Sequence, residues 1–176
     1  GFNMIKVLEK AGVKINYNPN QTCCGQIAFN AGFWDDAKKL GEKFIKDFDN
    51  GRMIVGPSAS CIGYVRNGFD ELFYNGAYHN EYKQLQRSIF EITDFLVNVV
   101  KVTDLGSVFE HKVTFHDSCA ALREYKLGNE PRILLKNVSG LELVEMENCH
   151  ECCGFGGTFA IKFEPISTAM AEPKVH

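Results

Sequence analysis

Two adjacent-cysteine motifs closed by glycine, Cys23-Cys24-Gly25 and Cys152-Cys153-Gly154, lie 129 residues apart in a chain of 176. Their contexts match. "MIKVLEKAGVKINYNPNQTCCG" and "ILLKNVSGLELVEMENCHECCG" each read helix, glycine, strand, cysteine pair, with the register differing by one residue. Self-similarity at a fixed period marks a chain built from like units. The boundaries expected are residues 1–100 for the first unit and 101–176 for the second. On this repeat, the counterparts of Cys119 in the first unit and of Cys61 in the second fall beyond the two ends of the chain. The sequence also begins on Gly1 rather than Met. The expectation is a fragment cut at both ends, each unit keeping three cysteines of a set.

Between the motifs, helical and strand periodicities alternate. Phe2, Met4, Ile5 and Leu8 recur at helical spacing and stop at Gly12, while Val13, Ile15 and Tyr17 alternate as a strand would. Ala37, Leu40, Phe44, Ile45 and Phe48 give a second helix. "RMIVG", "HKVTFHDSC" and "LELVEM" read as further strands, and "PRILLKNVSG" as a helix opened by Asn129 and Pro131. Ser88 and Glu91 suggest a capping box for a helix along Ile89, Ile92, Leu96 and Val99. Strands alternating with helices predict an α/β fold: two pseudo-repeated βα halves with largely parallel sheets. Each of the four predicted strands hands over to a cysteine past its carboxyl end, where open α/β sheets place their ligands.

Seven cysteines with no export signal point to a reducing, cytoplasmic setting, where clustered thiols bind metal or do redox work more often than they form disulfides. Adjacent cysteines cannot readily bridge each other, because a disulfide demands a particular Cα separation and dihedral angle. Thiolates favour soft metals, so sets of cysteines hold iron–sulfur clusters or zinc. Cys149 has no equivalent in the first unit and reads as a spare thiol. A formal net charge of −3 gives no electrostatic footprint for nucleic acid. The longest apolar run, "FLVNVVKV", is too short to span a bilayer.

"NQTCCGQ", "GPSASC", "HDSCAALRE" and "CCGFGGTFAIKFEPISTAM" closely resemble the CCG-domain, or cysteine-rich-domain, family. The resemblance runs along essentially the whole chain. It is closest to the iron–sulfur subunits of lactate and glycolate oxidation, and more distant to the B subunit of heterodisulfide reductase. It implies cofactor ligation by Cys23, Cys24 and Cys61 at one site and by Cys119, Cys152 and Cys153 at another. The implied cofactor is an iron–sulfur cluster of the 4Fe-4S type, with zinc as a substitute. The implied role is electron transfer within a complex that oxidises L-lactate or glycolate-like 2-hydroxy acids, with the complex's other subunits as partners. The family's C-x-x-C is here "SASC", with Ser58 in the first position, which counts against disulfide-cleaving chemistry. Two alternatives stand beside this reading: a thiol–disulfide reductase subunit, and a zinc-stabilised scaffold without redox activity.

Other residues have competing roles. His116 and Asp117 read either as groups orienting a thiolate or relaying a proton, or as a core histidine and a strand-end cap. Arg123 reads as a surface ion pair or as charge beside a reduced cluster. Gly154 to Gly157 lack the register and the Lys-Ser/Thr of a phosphate loop. Trp34, Phe44 and Phe48 are expected in the core, and no catalytic triad stands out.

Overall fold

A computed structural model describes residues 1–175. Helix α1 (Phe2–Lys10) buries Leu8 and ends before Gly12, which takes φ of +79°. Residues 13–18 form no regular element and pair with no strand. Their alternation survives as packing, since Val13 and Ile15 lean on a small core while Tyr17 is exposed. The strand expected there therefore lacks its ladder. After the short helix α2 (Gln26–Asn30), helix α3 (Trp34–Phe48) buries Ala37, Gly41 and Ile45 at intervals of four, one stripe of a helix. Asp35 and Asp36 in its first turn and Lys46 in its last complement the helix dipole.

The expectation for Trp34 is overturned: it is 64% exposed, while Phe44 and Phe48 pack against the core. Helical side chains lean towards the N-terminus. At the first position of α3, Trp34 therefore overhangs the helix start.

Strand β1 (Ile54–Gly56) leads into α4 (Ala59–Gly63), which continues through a π-turn, Tyr64–Gly68, into α5 (Phe69–Phe73). Helix α6 (His79–Ser88) then delivers β2 (Ile89–Glu91), parallel to β1 in the register Ile54↔Ile89. The capping box expected at Ser88 does not form. Ser88 ends α6, and Ile89, fully buried, pairs with β1, so tertiary pairing overrides the local signal. Glu91 itself caps α7 (Ile92–Asp94), accepting the Thr93 N–H at 2.7 Å and the Asp94 N–H at 3.3 Å. Burial pushes the Glu91 carboxyl up against these bonds. A π-helical run, Phe95–Val100, extends α7.

Two further strands follow downstream. Strand β3 (Lys112–Val113) passes through the π-helical Ala120–Tyr125 and α8 (Glu130–Lys136) to β4 (Glu142–Leu143), again parallel. Helices α9 (Thr158–Lys162) and α10 (Glu164–Ala171) follow. The chain is thus mixed α/β with two short parallel sheets, as the sequence predicts. Among the described residues, no helix is long and apolar enough to cross a membrane.

The larger core centres on Phe69, whose ring meets Tyr64 and Phe73 edge-on at centroid distances of 5.4 and 5.3 Å. Ile45, Tyr82 and Ile89 close around it. A smaller core joins Leu8 to Phe95 and Leu96. The two units meet where α4 crosses the Ala120–Tyr125 helix. A Cβ on Gly63 would stand 3.0 Å from the Tyr125 nitrogen, so the backbones touch. The Tyr125 hydroxyl accepts the Glu91 N–H at 3.0 Å and donates to Asp94. Gln26 completes the junction, accepting from the Ser60 hydroxyl and donating to Glu124 at 3.1 Å.

Candidate metal centre

At the first cysteine pair, Gly25 takes φ of +92°, a left-handed conformation that suits glycine. This turn points the Gly25 N–H at the Cys23 sulfur, 3.5 Å away, and sends Cys24 into the core. There the Cys24 thiol faces that of Cys61, on α4. Ser58, preceding α4, accepts the Cys61 N–H at 3.4 Å. Cys24, helped by Ser58, brings the exposed Cys61 thiol down to about 6 against the opposing effect of desolvation. In turn, Cys61 and burial push Cys24 up. Cys24 thus lies close enough to Cys61 and to its neighbour Cys23 to feel both, although the three sulfurs do not all come within 4.8 Å of one another.

The second pair repeats the turn. Gly154 takes φ of +78° and donates its N–H to the Cys152 sulfur at 3.4 Å. Each glycine lies against the second helix downstream of it, Gly25 against α3 and Gly154 against α10. A Cβ on Gly25 would meet the Ala37 carbonyl at 3.2 Å, and one on Gly154 the Ser167 carbonyl at 2.4 Å. Gly154→Ala is expected to destabilise the protein more than Gly12→Ala, by about 1–3 kcal/mol in urea denaturation. Gly12 has the same sign of φ with nothing within 4 Å, so it isolates the backbone cost from the clash. Equal losses in the two variants would show that the Ser167 contact is not tight.

Cys119 and Cys152 are exposed and Cys153 is half-buried. The segment carrying Cys119 is tied to the loop before Cys152 by the Asp117 N–H, which donates to the Cys149 carbonyl at 3.1 Å. Asp117 is buried, and its carboxylate receives two bonds from Arg132, at 2.9 and 2.6 Å. Arg132 also donates to Glu145 at 2.6 Å and stacks over Phe115. The Arg132 guanidinium holds the Asp117 carboxyl below its ordinary range. Cys149 is buried, and its sulfur lies within 4.8 Å of an Asp117 carboxylate oxygen. His150 Nδ1 lies 3.1 Å from the same carboxylate.

His116 lines a cavity of about 350 Å³ between the units, together with Ser58, Ser60, Glu91, Thr93 and Phe115. Both its ring nitrogens are buried without a hydrogen-bond partner. Arg123 is exposed. Sequence reasoning missed Gln26, Arg132 and Glu145, which organise the loops. Their partners lie 13 to 98 residues away, beyond any local periodicity.

The profile of the cysteine-rich domain (CCG) family matches residues 2–66 and again 113–176. Lactate utilization protein A 2 of Bacillus cereus is 38% identical over 176 residues, covering 99% of this chain and 73% of that protein. Lactate utilization protein A of Oceanobacillus iheyensis is 40% identical over 175 residues, covering 99% and 71%. Lactate utilization protein A 1 of Bacillus anthracis is 37% identical over 176 residues, covering 99% and 73%. No solved structure matches. With both cysteine pairs held in the same glycine turn and the profile matched over each, the chain belongs to the CCG cysteine-rich domain family.

Proposed function

We propose that this chain is an iron–sulfur electron-transfer subunit of a complex that oxidises L-lactate or a glycolate-like 2-hydroxy acid. The names of its relatives support the lactate assignment and imply partner subunits. The observation that carries the cofactor is the first thiol group, in which buried Cys24 meets Cys61 beside Cys23. Soft sulfur, one thiol of it lowered at Cys61 and one buried at Cys24, fits an iron–sulfur cluster. Cys23, Cys24 and Cys61 would hold one cluster in unit 1–100. Cys119, Cys152 and Cys153 would hold another in unit 101–176. Each set offers three of the four thiolates that a cubane takes. When bound, the cluster supplies reversible one-electron transfer. The chain's residues tune it: the Gly25 and Gly154 N–H groups draw charge from the sulfurs they meet, and the core around Cys24 keeps water away.

The thiol–disulfide reading has one observation in its favour, the Cys24–Cys61 pair with its lowered thiol. Iron and acid-labile sulfide analysis of the anaerobically prepared protein, with reduced-minus-oxidised spectra, separates the readings. We expect iron, sulfide and visible bleaching on reduction. Zinc with a featureless spectrum, or reversible Cys24–Cys61 oxidation with no iron, would overturn the proposal.

A further inference from the structure

The fold gathers one more set of ligand atoms, just ahead of the second glycine turn. Donor atoms of Asp117, Cys149 and His150 all lie within 4.8 Å of one another. Among the described residues, no other group of three His, Cys, Asp or Glu closes so tightly. We propose that Asp117, Cys149 and His150 form a mononuclear site for a zinc-class divalent ion, with solvent as the fourth ligand.

The spacing fits. His150 Nδ1 and Asp117 Oδ2 are 3.1 Å apart. A tetrahedral ion with bonds of about 2.1 Å places two such ligands about 3.4 Å apart, so a shift of a few tenths of an ångström admits it. The donor set of one nitrogen, one sulfur and one oxygen suits zinc better than a hard cation such as magnesium, which takes oxygen alone. The Asp117 carboxylate is already fixed in position by Arg132, and Arg132 in turn by Glu145. Ligating carboxylates are commonly held in this way. The His150 side chain is 67% exposed, which gives an ion its path in and leaves one coordination position to water.

The charges balance as well. The side chains of Asp117, Arg132 and Glu145 together carry one net negative charge, which favours a cation. Entry of a dication, with the Cys149 thiol proton released to solvent, brings the total to zero. Bound there, the ion joins the segment before Cys119 to the loop before Cys152. It also gives Cys149, which the repeat leaves without a counterpart, a use.

This site does not depend on the iron–sulfur reading, and its test keeps the two apart. The full-length protein is loaded with iron and sulfide anaerobically and equilibrated with buffered zinc. Both metals are then counted per chain for wild type, His150→Ala and Cys149→Ser. We expect one zinc in the wild type, at least about tenfold weaker zinc binding in each variant, and unchanged iron. Equal zinc in all three proteins, or none in the wild type, would overturn the site. Iron lost from His150→Ala would also overturn it, by assigning the loop to a cluster. His150 is exposed, so its variant is expected to fold even where Cys149→Ser does not. Should iron fail to load at all, zinc would fill the glycine-turn thiols too, and His150→Ala would still bind one fewer.

Discussion

Serine at position 24 is expected to remove about half of the iron held by the anaerobically loaded protein, because a hard hydroxyl is a poor substitute for thiolate on iron. Cys24 is the cysteine of its pair that the Gly25 turn drives into the core, where its thiol meets Cys61. Losing it takes the innermost sulfur from the first set and leaves the second set whole. Cys153→Ser should produce a loss of similar size from the second set. Cys149→Ser should leave iron unchanged, since its sulfur lies beside the Asp117 carboxylate and the repeat gives it no counterpart in the first unit. Iron content decides the matter: no change in either Cys24→Ser or Cys153→Ser would remove the glycine-turn cysteines from the ligand set.

Arg132→Met is expected to lower stability at pH 7 by about 3–5 kcal/mol, the usual result of stripping the partner from a buried charge. The Asp117 side chain is only 6% exposed, and both of its oxygens are bonded to Arg132. Methionine replaces the stem of Arg132 and leaves the carboxylate buried without its cation. The pH dependence has a definite sign. The folded carboxyl of Asp117 titrates below its unfolded value near 3.9, so the pair's contribution is fully present above about pH 4. It fades as pH falls through the depressed folded value. Urea denaturation at pH 7 and pH 3 should show the gap between wild type and variant closing in acid. A gap under about 1 kcal/mol at pH 7 would mean that solvent already screens the pair.

The parts of the fold that were legible in the sequence are those where one short segment carries the whole signal. The stripe of Ala37 and Ile45, the stop at Gly12 and the paired-cysteine turns could each be read from their own neighbourhoods. Val13 to Tyr17 shows the limit: alternation specifies an extended chain, but a ladder needs a second strand. Ser88 shows the converse, a good local capping signal overridden by Ile89 pairing with Ile54. At the candidate site, sequence identified the sulfurs and the glycines but not what positions them. Asp117 appeared as a thiolate partner or a cap, yet its main contact, Arg132, is set by the packing of α8. The role of Ser58 was hidden for a different reason. Read as a missing cysteine, it proves to hold the N–H of the cysteine that remains.

The junction through Gln26 also governs how the molecule comes together in time. Its bond to Glu124 spans 98 residues, and Asn67 reaches the carbonyl of the same glutamate across 57. Closing loops of that length costs chain entropy before any contact rewards it, and topologies rich in such contacts fold slowly. Neither unit can finish its own half of the junction while the other is unformed. The nascent chain must therefore run well past Glu124 before Gln26 and Ser60 are locked in place. Until then the buried core around Cys24, otherwise drawn from residues 24–89, lacks Tyr125.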